Sequence, residues 1–113
     1  MPLKTDIDAL VNSFGSAQYF QPATAKESLA VVQSCCASPQ EAIVLLKART
    51  DTAYFQTAGR HGVMICFIRG RLRYPMQKSS APFPSALLYF GSDKARFKEV
   101  FSHVGEVVTI IAQ

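Results

Sequence analysis

Two short, uninterrupted apolar runs constrain the fold of this 113-residue chain more than any other feature. They cover residues 42–46 and 63–68, and residues 85–90 form a third segment of similar character. A strand with one exposed face alternates apolar and polar residues, whereas a continuous apolar run of this length is typical of a strand buried on both faces. The chain is therefore predicted to build a sheet that helices cover.

Apolar residues at helical spacing supply helices in the first part of the chain. Residues 4–14 are predicted to form the first helix, which ends at Gly15. A second helix is predicted to begin at Thr24, because Thr24 and Glu27 have the spacing of a capping box.

The later elements are predicted from shorter patterns. Residues 51–57 are expected to form a short helix that the glycines at 59–62 interrupt. Ser92 is predicted to cap a further helix, and residues 106–112 are predicted to form the last strand.

Together these elements predict one α/β domain over residues 1–113. Its residues 1–40 are expected to be helical, and residues 41–113 to supply the strands and a C-terminal helix and strand. The expected architecture is a mixed sheet of about four strands covered by three to four helices. With 49% hydrophobic residues, the chain can build one core and is too short to divide into several domains.

The basic side chains are concentrated in one part of the chain. Between residues 47 and 78, Asp51 is the single acidic residue, so the net charge is +6 with the seven cations Lys47, Arg49, Arg60, Arg69, Arg71, Arg73 and Lys78. An excess of this kind within a folded domain attracts nucleic-acid phosphates or an acidic partner, and a solvated rim is the alternative interpretation.

Three of these cations alternate along a segment that is expected to be extended. Arg69, Arg71 and Arg73 would then share one face, which suits phosphates or the carboxylates of a partner. A solvated strand face is the competing interpretation.

Several functional classes lack support in the sequence. The three cysteines have no metal or redox spacing, and neither His61 nor His103 has an acidic or cysteine neighbour at ligand spacing, so no metal site is expected. No run of about 20 apolar residues is present, and Asp6 and Asp8 interrupt the N-terminus where a signal peptide would be apolar. The chain is therefore expected in the cytoplasm.

Three motifs between residues 41 and 91 resemble the C-terminal half of the phage-type DNA N6-adenine methyltransferases, in the same order and at similar spacing. The motifs are Leu46-Lys47-Ala48-Arg49-Thr50-Asp51-Thr52 followed by Tyr54-Phe55, then Phe67-Ile68-Arg69-Gly70-Arg71-Leu72, and then Ala81-Pro82-Phe83-Pro84-Ser85 before the strand at 86–90. The resemblance implies a partial Rossmann-like methyltransferase fold.

The resemblance also implies where chemistry would lie. In the family, an Asn-Pro-Pro-Tyr-type loop binds the amino group of the flipped adenine and stacks a ring on it. The corresponding residues here are Phe20-Gln21-Pro22-Ala23, in which Gln21 offers an amide but Ala23 offers no ring. Only Gly15 is available upstream for the glycine-containing motif that holds S-adenosylmethionine, so neither cofactor binding nor catalysis is expected from this chain alone.

Within the first motif, two interpretations stay open. Thr50 and Asp51 could form a ligand-binding loop after a strand, or one of them could cap the next helix while Arg49 pairs with Asp51. Tyr54 and Phe55 are expected to pack in the core.

Three functional hypotheses follow. The first is a non-catalytic phage or mobile-element protein, derived from an adenine methyltransferase, that binds DNA or a host protein in the bacterial cytoplasm. The second is an anti-defence inhibitor, for example an anti-restriction or anti-CRISPR factor, that binds an acidic surface of a host protein. The third is a methyltransferase that becomes active only with a second chain or as a homodimer.

Overall fold

Helices and strands alternate along most of the computed structural model, which describes residues 2–77 and 79–111, and two strands follow one another once. In chain order the elements are α1 (Lys4–Phe14), β1 (Gln18–Phe20), α2 (Ala25–Ala37), β2 (Ala42–Lys47), α3 (Ala53–His61), β3 (Met64–Ile68), β4 (Ser85–Phe90), α4 (Lys94–Phe101) and β5 (Gly105–Thr109). The predicted α/β class and the mixed sheet are confirmed, with one strand more than expected.

The strands form a single sheet in the order β1-β2-β4-β3-β5. β1 and β2 are parallel, and β4 lies antiparallel between β2 and β3. As a result β1, β2 and β3 all end at the same side of the sheet, which we call the carboxyl edge. β5 starts at this edge because it is antiparallel to β3.

The core lies on both faces of the sheet, as the apolar runs predict. One layer joins α1 and α4 to alternate residues of β2, β3 and β4, among them Ile43, Cys66 and Tyr89. The other layer joins α2 and α3 to the intervening residues, such as Val44 and Leu88. Every residue of β4 is buried, because this strand is central and covered on both faces.

The first helix begins and ends where the sequence predicts, and the second begins directly after its predicted cap. α1 spans Lys4–Phe14 and is followed by Gly15 at φ +87°, a conformation that favours glycine. At the start of α2, the Thr24 hydroxyl accepts a hydrogen bond from the Glu27 N–H at 3.1 Å. β1 lies within the segment 1–40 that was expected to be helical, because its three residues are too few to show a strand pattern in the sequence.

Two predicted helix caps are wrong. α3 is capped by Thr52, whose hydroxyl accepts from the Phe55 N–H at 3.4 Å, and not by Thr50 or Asp51. α4 is capped by Asp93, one residue after the predicted Ser92.

The expected end of α3 is also wrong, since the helix continues through Gly59 to His61. Glycine inside a helix costs about 1 kcal/mol relative to alanine. Burial of Tyr54, Phe55 and Ala58 against the sheet outweighs that cost.

Residues 69–77 do not form the extended strand expected from their alternation. Gly70 turns the backbone at φ +75°, and only Arg73 forms an isolated parallel bridge, with Leu3. The three arginines therefore do not share a regular strand face.

The last strand begins one residue earlier than predicted and ends at Thr109, and Ala112 lies outside the described residues. A Cβ atom at Gly105 would lie 2.1 Å from the Phe67 carbonyl oxygen, so only glycine fits this close approach to β3.

The Thr24 cap provides a direct test of the local helix signal. Thr24→Ala is expected to lower the free energy of unfolding by about 1 kcal/mol, because the Glu27 N–H loses its hydrogen-bond acceptor. Urea unfolding followed by circular dichroism measures this loss. Thr24→Ser retains a hydroxyl and should stay close to the wild type, and equal losses in the two variants would contradict the capping role.

Candidate functional site

The carboxyl edge of the sheet collects the loops in which the sequence places its candidate residues. Residues 21–24 follow β1, residues 48–52 follow β2, and residues 69–84 follow β3. In open α/β sheets, ligands bind outside the carboxyl ends of the strands. The fold therefore brings residues 21–24 and most of the basic segment together, although they are far apart in the sequence.

Most of the predicted cations lie at this edge. Lys47 is the last residue of β2, Arg49 follows it, and the exposed side chains of Arg69, Arg71 and Arg73 belong to the segment after β3. Arg60 does not join them, because α3 leads away from the carboxyl edge towards the start of β3. Lys78 lies outside the described residues.

Lys47 links two of the three sequence motifs. Its ammonium nitrogen lies 4.7 Å from the centroid of the Phe83 ring, a cation–π contact. Beside it the Ala48 N–H donates to the Pro84 carbonyl at 2.9 Å. The Ala81 N–H donates to the Leu72 carbonyl at 2.8 Å, so the proline-rich loop is fixed to the domain on both sides of Phe83. Lys47 therefore has a structural role in addition to its charge.

The loop after β2 is held by its own hydrogen bonds. The Thr52 hydroxyl donates to the Arg49 carbonyl at 2.7 Å, and the Gln56 amide nitrogen donates to the Thr50 carbonyl at 2.6 Å. The ion pair between Arg49 and Asp51, which belonged to one of the two open interpretations, is not formed, since within residues 2–77 and 79–111 only Lys4 and Asp8 form one. The Arg49 side chain is thus presented to solvent from a fixed backbone.

Two adjoining crevices lie between this loop and the residues after β1. One, of about 260 Å³, is lined by Pro22, Ala23, Thr24, Ala25, Ser28, Lys47, Arg49, Thr52 and Tyr54. The other, of about 240 Å³, includes Gln21, Pro22, Lys47 and Tyr74. Both are smaller than the roughly 300–1,000 Å³ usual for small-molecule sites. They form a grooved surface.

Of the aromatic side chains near the groove, Tyr54 and Phe55 pack in the core, whereas Tyr74 is partly accessible from the groove. Tyr54 and Phe55 are buried, as predicted, and the Tyr54 hydroxyl donates to the Lys47 carbonyl at 2.9 Å. Tyr74 is half-buried and lines the groove beside Gln21, which the sequence did not indicate. Its only sequence signal was the alternation of apolar residues after Gly70. Burial, followed by the nearby Asp8 carboxylate, raises the pKa of the Tyr74 hydroxyl.

The negative charge of Asp8, near this edge, is neutralised by a neighbouring cation. Asp8 accepts from the Lys4 ammonium at 2.7 Å and from the Tyr19 hydroxyl at 2.7 Å. Burial, together with this hydrogen bond, raises the pKa of Tyr19, so the phenol remains neutral. The negative charge of Asp8 is thus balanced by Lys4 and does not offset the exposed arginines.

The cysteines and histidines are the remaining side chains that commonly act in catalysis or bind metals. Burial raises the pKa of the Cys66 thiol to about 12, and burial also raises the pKa of Cys35 and Cys36, which disfavours the reactive thiolate. Among the described residues no cluster of three His, Cys, Asp or Glu side chains could hold a metal ion. His61 and His103 are both exposed, as predicted.

A cavity of about 550 Å³ lies at the opposite side of the sheet. Its central group is Glu41, whose carboxylate accepts from the hydroxyls of Tyr89 and Ser16. The Tyr89 oxygen also accepts from the Asp93 N–H at 3.0 Å. These bonds connect β2 and β4 to the start of α4 and the turn after α1. The polar groups of this cavity are thus used in hydrogen bonds that hold the fold together. We therefore favour the smaller groove at the carboxyl edge as the functional surface.

No helix in the described ranges is long and apolar enough to cross a membrane. The chain matches no protein-family model, and no curated protein or solved structure is significantly similar to it. The resemblance to adenine methyltransferases therefore stays a prediction that rests on the three motifs.

Proposed function

We propose that this chain is a non-catalytic nucleic-acid-binding protein, related to the C-terminal half of an adenine methyltransferase, whose carboxyl edge contacts the phosphate backbone. The observation that carries the proposal is the position of Arg49, Arg69, Arg71 and Arg73. All four side chains are exposed, and they come from the segments that follow β2 and β3 at one edge. β2 and β3 are separated only by β4, so the two segments start about 10 Å apart.

The chemistry of these side chains favours phosphates. A guanidinium group binds a phosphate through two parallel hydrogen bonds and stays charged at any physiological pH. Phosphate contacts position a protein on nucleic acid without reading its sequence. With Tyr54 and Phe55 buried, the groove has few rings on which bases could stack, which supports contact with the backbone rather than with the bases.

The groove also supports a loss of the family's chemistry. Gln21 is exposed after β1, at the position where the resemblance places the catalytic loop, and Ala23 lines the crevice where a stacking ring would be needed. A chain of this kind would retain an inherited binding surface without methyl transfer.

Titration of labelled duplex DNA at two salt concentrations tests this proposal. For four phosphate contacts, we expect the affinity to fall roughly a hundredfold between about 50 and 200 mM salt, with a slope near −3.6 in a plot of log K against log salt. Absence of binding at the lower salt concentration would contradict the proposal and favour a host-protein partner.

Calorimetric titration with S-adenosylmethionine tests the non-catalytic part separately. We expect no heat of binding to this chain, because none of the strands in its described part is followed by a glycine-rich loop. Measurable binding would show that this part of the proposal is wrong, whatever the result with DNA.

A further inference from the structure

β5 forms one border of the sheet and leaves half of its backbone groups unused by β3. The Arg69 N–H donates to the Val104 carbonyl at 2.9 Å, and the Ile110 N–H donates to the Val63 carbonyl at 2.8 Å. In an antiparallel ladder the bonded residues alternate, so the even-numbered residues of this strand face β3. The N–H and C=O groups of Gly105, Val107 and Thr109 therefore point outward.

This border carries little of the usual protection against strand pairing. Natural edge strands commonly carry lysine, proline or a bulge, which discourage a second strand from adding to the sheet. β5 contains neither lysine nor proline, and Glu106 is its single charged residue. Val108 is 37% exposed on this strand, and Ile111 just after it is 83% exposed. Among the residues that the structure describes, this border therefore has outward backbone groups without a strand partner and is partly apolar.

We infer that β5 pairs antiparallel with β5 of a second copy of this chain, which continues the sheet across a two-fold axis. The outward groups of the odd-numbered residues allow only registers in which odd residues bond to odd residues. One of these registers places Val108 opposite Val108 of the second copy and Glu106 opposite Ile110. Shifting the second strand by two residues in one direction places Val108 opposite Glu106, which leaves an apolar side chain against a charge. Shifting it by two residues in the other direction places Val108 opposite Ile110, but Glu106 then no longer faces Ile110 and lies farther from Arg60.

Charge complementarity supports the first register and a second copy as the partner. Arg60 and Ile110 line the same cavity of about 360 Å³, so Arg60 lies beside the end of the β5 ladder. In the preferred register, Glu106 of the second copy comes directly opposite Ile110 and thereby next to Arg60. The two-fold axis repeats this ion pair, so each copy contributes one cation and one anion.

The face of the sheet that carries α3 also leaves room for the proposed pairing of two β5 strands. The cavity that contains Arg60 is also lined by Phe55, Phe67 and Ile110, and the rings of Phe55 and Phe67 are stacked with centroids 6.4 Å apart. The stacking places α3 above β3. The α3 helices of the two copies would then be about three strand spacings, roughly 14 Å, apart, which leaves a groove for Val108 and Ile110 of both copies.

Sedimentation velocity on the full chain measures the oligomeric state. We expect the 12.4 kDa chain to sediment at twice this mass at about 100 µM and to dissociate on dilution. A monomer at every concentration would overturn the inference. The interface does not use Arg49 or the loop after β3, so dimerisation and DNA binding can fail independently.

A charge exchange tests the partner residues. Glu106→Arg and Arg60→Glu should each weaken the dimer on the order of tenfold, because every dimer contains the contact twice, and the combined variant should recover most of the loss. A dimer that neither single variant weakens would show that it uses another surface.

A cysteine at the two-fold axis tests the register. In a Cys36→Ser background, Val108→Cys should form a disulfide-linked dimer under mild oxidation, because directly opposed residues of a non-bonded pair lie about 4.5 Å apart at Cα. Glu106→Cys is the matched control and should not link, since it faces Ile110 of the second copy. Linkage of Glu106→Cys but not Val108→Cys would rule out the proposed register.

Discussion

Phe97→Ala is expected to lower the free energy of unfolding by about 3–5 kcal/mol, the largest stability change of any single substitution considered for this chain. Phe97 is 0% exposed and lies at the centre of an aromatic cluster between α1, α4 and the sheet. Its ring is stacked on Tyr89 at 4.8 Å and lies 4.7 Å from Phe101, with Phe14 at 6.4 Å. Removing it leaves a cavity that these rigid neighbours cannot fill.

Urea unfolding measures this loss as a lower transition midpoint at an unchanged slope. Lys94→Ala is the matched control, because Lys94 is exposed on the same helix and its loss should change stability by no more than about 0.5 kcal/mol. A loss below about 1 kcal/mol for Phe97→Ala would contradict the packing of α4 against α1 and the sheet.

The second large effect is expected for DNA affinity. The double variant Arg49→Ala with Arg71→Ala removes one cation from the loop after β2 and one from the segment after β3. At about 50 mM salt each phosphate contact contributes roughly tenfold to the affinity, so the double variant should bind about a hundredfold more weakly. Its slope of log K against log salt should become less steep by about two. Fluorescence titration with a labelled duplex measures both quantities.

The charge-matched control is Lys94→Ala with Lys98→Ala, which removes two exposed cations from α4. We expect its affinity to stay within about threefold of the wild type, since long-range attraction is screened at this salt concentration. Equal losses in the two double variants would show that net charge, and not the carboxyl edge, determines binding.

Some elements of this fold could be predicted from the sequence because their signal is local. The continuous apolar runs of β2 and β3 identify strands buried on two faces, and the spacing of Ile7, Val11 and Phe14 identifies α1. Thr24 was predicted correctly as a cap because its hydroxyl acts on an N–H only three residues away.

The predictions that were wrong concern elements that are stabilised by contacts with residues distant in the sequence. β1 has only three residues and exists because it pairs with β2, more than twenty residues later. α3 continues through Gly59 because its buried face packs on the second core layer. The segment from Arg69 to Arg73 was expected to be extended, but the backbone turns at Gly70 and Arg73 bonds to the backbone beside Leu3.

The candidate surface, too, could be predicted from the sequence only in part. The sequence by itself determined that residues 47–78 are basic, that two buried strands flank much of this segment, and that three motifs resemble one enzyme family. Only the tertiary structure decided which cations act together, because strand order places the ends of β2 and β3 at one edge and α3 carries Arg60 away from it. Charge is a property of each residue and can be read from the chain. Proximity between charges depends on strand pairing over long separations, and no local pattern encodes it.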